Sequence, residues 1–206
     1  MNIGILGAGH IGATAAGLFA QAGHSVAISN SQGPASLSSL VTSSEAHIKA
    51  VTAEEAVRFG DIILIAIPWV KRDTLPDAQL FENKIVIDAM NAYGPNGPVD
   101  LGESTSSEMV SWQLPGARLV KAFNTMYFET LRTASRPAGP DRLALFIAGD
   151  DTEAKDEVAR LIEEIGFAAV DTGFLHDGGR LQQPGSPIFN VAMTIEEAGK
   201  RLSDLK

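Results

Sequence analysis

Residues 2–12 read NIGILGAGHIG, an apolar strand-forming run that passes straight into G-x-G-x-x-G and then into a helical repeat. No other stretch limits the possible folds so strongly. Gly7 permits the tight turn out of the strand, Gly9 lets a pyrophosphate approach the backbone, and Gly12 lets helix and strand pack closely. The free N–H groups at the start of that helix, with its positive dipole end, would face the phosphates. A tight turn without a ligand is the alternative; the placement between strand and helix favours a dinucleotide. The candidate contacts are Gly7, Ala8, Gly9, His10, Ile11 and Gly12.

The rest of the chain agrees with that opening. Apolar runs at about 2–7, 25–29, 48–52, 61–67, 85–90, 118–123, 143–148 and 167–171 alternate with amphipathic ones, which predicts βαβ units on a parallel sheet. Ile11, Ala15, Leu18 and Ala22 recur at helical spacing and Gly23 ends the element. A second stripe, Ala154, Val158, Leu161 and Ile165, is opened by the Asp150 to Glu153 capping pattern and closed by Gly166. Thr105 and Glu108 form a similar box before MVSWQL. Segments 92–104, 132–142 and 177–189 are rich in Gly and Pro and read as loops.

With 206 residues, 45% of them hydrophobic and 20% charged, the chain suits a single compact α/β domain. A formal net charge of -9, with no basic tail, argues against nucleic acid and anionic membrane as partners. The absence of cysteine excludes a disulfide framework and a thiolate nucleophile. His10, His24, His47 and His176 are scattered, with no metal-ligand spacing. The opening strand has no basic segment and long apolar run before it, so no signal peptide or membrane span is expected, and the location expected is cytoplasmic.

After the second strand, SVAISNSQ lacks the carboxylate that grips the adenosine ribose in NAD enzymes. Ser29, Asn30 and Ser31, with Gln32 following, offer neutral donors instead, and Pro34 suits a helix start. Loss of the acid removes a barrier to the 2′-phosphate of NADP, although SNSQGPAS holds no Arg or Lys to pair with it.

The glycine loop, SNSQGP, AIPW, DAMN and KAFNT, taken in order, resemble the NADP-dependent oxidoreductases related to coenzyme F-420:NADPH reductase over nearly the whole chain. The sequence is also similar to the soluble NADPH-binding domain of the Steap metalloreductases. The resemblance implies an α/β, Rossmann-type doubly wound, mostly parallel sheet over 1–206, with about 172–206 as a small C-terminal acceptor-side lobe. It implies NADP(H) at the carboxyl ends of the strands and hydride exchange with a small-molecule acceptor, coenzyme F-420 or a flavin. The 2′-phosphate contacts then map onto Ser29, Asn30 and Ser31, while Gln32 stands where many relatives carry arginine.

Three more stretches end strands where such a sheet places its ligands. Ile67, Pro68 and Trp69 are candidates for the nicotinamide or acceptor pocket, the Trp69 ring as one wall; covering the core is the alternative for Trp69. Asn91 and Asn124 each present an amide able to hold a carboxamide or ribose, or to stabilise a turn. Asp88 is read as orienting backbone, and Lys121, within a strand, as structural or solvent-facing. Met126, Tyr127 and residues 183–187 are candidates for the acceptor-side wall.

No acid/base dyad is evident and no catalytic side chain is assigned. Transfer between two reactive rings needs stacking and exclusion of water more than side-chain chemistry, whereas alcohol dehydrogenation moves a proton with the hydride. A small imine, ketone or quinone reductase using the same site, and a non-catalytic NADP-sensing or partner-binding module, remain open alternatives. A shallow cleft on a chain of this length also suggests a homodimer.

Overall fold

The computed structural model describes residues 1–43 and 47–205. Strand β1 (Asn2–Leu6) leads into α1 (His10–Gln21), β2 (Ser25–Ser29), α2 (Ser38–Ser43), β3 (Ile48–Ala50), α3 (Ala53–Phe59), β4 (Ile62–Ile65) and β5 (Ile85–Asp88). Next come β6 (Tyr93–Gly94), β7 (Gly97–Pro98), α4 (Ser106–Gln113), β8 (Arg118–Lys121) and α5 (Phe128–Thr133). The chain continues through β9 (Ala144–Ile147), α6 (Thr152–Glu164), β10 (Ala168–Asp171), α7 (Asp177–Leu181) and α8 (Ile195–Ser203).

Six strands form one parallel sheet in the order β3-β2-β1-β4-β5-β8. The chain steps outward from β1 to β3, then crosses back to β4 and steps the other way. Strand order therefore reverses between β1 and β4, which is where such a sheet opens a crevice at its carboxyl edge. An antiparallel bridge between Lys121 and Ala148 continues the sheet toward β9, and β9 pairs in parallel with β10.

Side chains alternate between two cores with the two-residue period of a strand. Ile3 and Ile5, Ile62 and Leu64, and Ile85 and Ile87 face the core that α1 and α6 complete with Phe19, Val158 and Leu161. Ile63, Ile65 and Val86 point the other way, toward Phe81, Val110 and Leu114. Burial on both faces explains why the predicted strands are continuous apolar runs. Each fully buried Ile, Leu or Val contributes about 1.5–3 kcal/mol.

All eight predicted strands form, several ending one or two residues early. The differences lie at the loops and caps. Segment 92–104 holds the short β6–β7 hairpin, turned by Gly97 at φ 114°. Segment 177–189 begins with α7, although DGGRL reads as a breaker. Its glycines meet a packing demand: a Cβ on Gly178 would lie 2.8 Å from the Thr172 backbone. The cap of α6 is Asp151, which accepts from the Ala154 N–H at 2.9 Å, while Asp150 accepts from the Leu175 N–H. A third, small core of Ala144, Phe146, Ile188, Met193 and Ala198 ties the C-terminal segment to β9. Among the described residues no helix is long and apolar enough to cross a membrane.

Candidate functional site

A cleft of about 640 Å³ opens at the carboxyl edge of β1, β2 and β4. Gly7, Ala8 and Gly9 line it, Ser29 to Gln32 form one end, and Ile67 and Pro68 stand beside the glycine loop. The three loop glycines meet different demands. Gly7 has φ 105°, and a Cβ there would meet the Ala66 carbonyl oxygen at 2.4 Å. A Cβ on Gly12 would lie 1.9 Å from the Gly7 carbonyl oxygen, so that glycine serves helix–strand packing. Gly9 is unlike both, because its Cβ position meets nothing within 4 Å. The protein's own packing does not require a glycine at Gly9, and the open space there lets a ligand approach the backbone.

Gly9 is also the N-cap of α1, with no side-chain cap and no acid in the first turn. The first N–H groups of a 12-residue helix thus lie at the cleft without a capping partner, an arrangement suited to a pyrophosphate. His10 is exposed beside the loop and stacks on Phe128 at 4.1 Å, while Ile11 packs against the first core.

At the end of β2 the expected donors divide. Ser29 is buried and donates its hydroxyl to the Ile5 carbonyl at 3.2 Å, so it fastens β2 to β1 and its proton is already used. Asn30 accepts from the Gln32 N–H at 3.0 Å and donates to the Ser36 hydroxyl at 2.8 Å, holding the turn that leads to Pro34. Ser31 and Gln32 remain exposed on the cleft. All four line the cleft, but position in sequence could not show which hydroxyl or amide was already used.

Trp69 departs from the pocket-wall expectation. It is buried in the second core and stacked under the Arg72 guanidinium at 4.0 Å, and it is not among the cleft-lining residues. Proline turns the chain inward after β4, so the tryptophan covers the core while Lys71 and Thr74 take the cleft wall.

Asn91 and Asn124 lie together at the ends of β5 and β8 rather than on the cleft. Asn91 donates to the Asn124 carbonyl at 3.0 Å, and Asn124 donates to Asn91 Oδ1 at 3.1 Å and to the Gln182 carbonyl at 2.7 Å. Both amide hydrogens of Asn124 are committed, leaving its buried Oδ1 as the open acceptor. Between the two strand ends Phe123 adopts φ 65°, a left-handed conformation rare for a bulky residue, held by complete burial against Phe19. The two asparagines are a clamp that joins both strand ends to α7.

Beneath the clamp lies a polar cluster whose size the sequence did not reveal. Lys121 is fully buried, not solvent-facing, and its ammonium donates to Met90 O at 2.7 Å, Asp88 Oδ2 at 3.2 Å and Ser106 Oγ at 3.3 Å. Three donors meet three acceptors. Burial pushes the Lys121 ammonium below the ordinary lysine range, and the Asp88 charge opposes that shift. Asp88 also accepts from the Ser107 hydroxyl at 2.5 Å and the Met90 N–H at 2.9 Å, orienting backbone as expected.

Of the expected acceptor-side residues, Met126 is buried in the first core and Tyr127 is exposed next to Phe128. Gln183 and Pro184 line a separate cavity of about 150 Å³ with Ala92 and Val99. Sequence reasoning missed Lys71 and Thr74; the available signal was their place just past β4, on the ligand side of the sheet.

Residues 2–92 match the family described as NADP oxidoreductase, coenzyme F420-dependent. The metalloreductase STEAP3 of Rattus norvegicus is 30% identical over 177 residues, an alignment covering 84% of this chain and 34% of that protein. The chain therefore spans about a third of the length of this curated relative. A hypothetical protein from Sinorhizobium meliloti shares the fold with a TM-score of 0.82 and 36% identity, covering 94% of this chain and 95% of the other. A protein from Arthrobacter sp. FB24, named a candidate F420-dependent NADP-reductase, gives a TM-score of 0.77 at 25% identity, covering 94% and 99%.

Proposed function

We propose that the chain, whose residues 2–92 match the family model of coenzyme F420-dependent NADP oxidoreductases, exchanges hydride between NADP(H) and a planar acceptor ring, a deazaflavin of the F-420 type or a flavin. The observation that carries this reading is Gly9, whose vacant Cβ position stands at the uncapped start of α1 on the cleft. The residues fit the cofactor. The Gly7–Gly9 backbone and the first turn of α1 would hold the pyrophosphate, and Ser31 and Gln32 lie at the end where β2 would receive the adenosine ribose.

NADPH, when bound, supplies the hydride, and the protein's own contribution is to bind, orient and exclude water. Ile67 and Pro68 give the cleft an apolar wall beside the glycine loop. The Asn91–Asn124 clamp and the Lys121–Asp88 cluster fix the neighbouring strand ends. Among the described residues lining the cleft there is no histidine, aspartate or glutamate. Hydride transfer between two rings asks mainly for their stacking and for exclusion of water, and a cleft lined in this way is compatible with it.

The test is NADPH oxidation by purified protein, followed optically with coenzyme F-420 and then FMN as acceptor, with NADH in parallel. Turnover with either ring system, faster from NADPH, is the expected result. Tight NADPH binding with no turnover in any pairing would remove the hydride-transfer reading and leave a nucleotide-binding module.

A further inference from the structure

NADP differs from NAD by one phosphate monoester, which carries about -1.5 to -2 charges near neutral pH. A site built from neutral donors alone leaves that charge poorly compensated. The end of β2 supplies only such donors, and two of them are already committed: Ser29 to Ile5 and Asn30 to the turn around Ser36. Ser31 and Gln32 are left, and neither is charged.

One cation does reach the cleft, from the opposite wall. Lys71 lies in the 3₁₀ turn Trp69–Thr74 and, among the described residues lining the cleft, is the single charged one. Its side chain is exposed and makes no ion pair among the described residues, although the chain as a whole carries net charge -9. Thr74 follows one 3₁₀ turn later, lines the same wall, and donates its hydroxyl to the Lys71 carbonyl at 2.8 Å.

Position along the cleft separates two uses of this lysine. A pyrophosphate would already have the α1 N-terminus and would sit by Gly7, against which Ala66 packs. The cleft also extends past β2 to Ala53, which follows β3, and the wall there is completed by Thr74, Leu75 and Pro76. That is the adenosine end of a nucleotide whose pyrophosphate lies on the glycine loop.

We propose that Lys71 is the specificity-determining cation that pairs with the 2′-phosphate of NADP(H), doing from the wall after β4 what no residue of SNSQGPAS does after β2. The proposal rests on the NADP(H) reading above. A lysine suits the task as a point charge on a flexible stem that need not match a fixed fork geometry. The short turn fixes its backbone, and the stem spans the cleft when the phosphate arrives.

The experiment is calorimetric titration of the wild type, Lys71→Gln and Lys71→Arg with NADPH and with NADH, at low and at moderate salt. In the wild type NADPH is expected to bind more tightly than NADH. Lys71→Gln should weaken NADPH about tenfold or more, in line with loss of one charge-assisted hydrogen bond, and NADH by less than about threefold. It should also flatten the salt dependence of NADPH binding, while Lys71→Arg restores most of the preference. Equal weakening of both nucleotides would assign Lys71 to the shared pyrophosphate and overturn the proposal, as would unchanged binding of both. A wild type that binds NADPH and NADH equally overturns it while leaving a dinucleotide site in place; one that binds neither removes the NADP(H) reading itself.

Discussion

The Lys121 ammonium lies 3.2 Å from the Asp88 carboxylate, and both side chains are fully buried at the ends of adjacent strands β5 and β8. A buried pair need not add net stability, but removing one partner strands the other charge in an apolar interior, at a cost of about 3–5 kcal/mol. Lys121→Met should therefore lower the urea midpoint sharply. Lys121→Met combined with Asp88→Asn should be less unstable than the two single losses added together. A single variant within about 1 kcal/mol of wild type would show that the pair is not held as described.

Two glycines of α1 should respond in opposite directions to the same change. Gly17 has open space at its Cβ position, so Gly17→Ala should stabilise by about 0.5–1 kcal/mol through helix propensity. Gly12→Ala carries the same gain in propensity, but its Cβ would meet the Gly7 carbonyl oxygen at 1.9 Å, which forces helix and strand apart. Overpacking of that kind costs about 1–3 kcal/mol and outweighs the propensity. Thermal melts of both variants decide it, and a raised midpoint for Gly12→Ala would contradict the close packing.

Acid stability should carry the mark of the Arg118–Asp151 pair. The guanidinium donates to both carboxylate oxygens, at 2.5 and 2.9 Å, and holds the Asp151 carboxyl at about 2. Below its ordinary value of about 4 the unfolded chain takes up this proton before the folded one does. The contribution is therefore complete above about pH 4 and lost as pH falls toward 2, the folded value. Asp151→Asn should flatten the stability profile in that window; an unchanged slope would mean the pair is not formed in solution.

How much of this was legible in the sequence follows from which interactions are local. G-x-G-x-x-G, the apolar runs and the Thr105–Glu108 box are each set within a few residues, and the strands, α1 and the cap of α4 all form where those patterns put them. What escaped depends on partners far along the chain. Ser29 is used by Ile5, Asn124 by Asn91 and Gln182, and Lys121 by Asp88 and Ser106. Trp69 and Lys71 were separable only once a 3₁₀ turn put one in the core and the other on the cleft. Gly178, which looks like a helix breaker, is required inside α7 by the Thr172 backbone beside it.

The most direct test of the cofactor site is NADPH titration of Gly9→Val against wild type, with far-ultraviolet circular dichroism and thermal melts to establish that both are folded. Apart from its own chain neighbours, no protein atom lies within 4 Å of the Gly9 Cβ position, so the variant should fold normally. The added side chain should occupy the space in which the pyrophosphate meets the α1 N-terminus, and NADPH affinity should fall by at least about a hundredfold, which is about 2.7 kcal/mol. A folded Gly9→Val protein that binds NADPH as tightly as wild type would contradict the account.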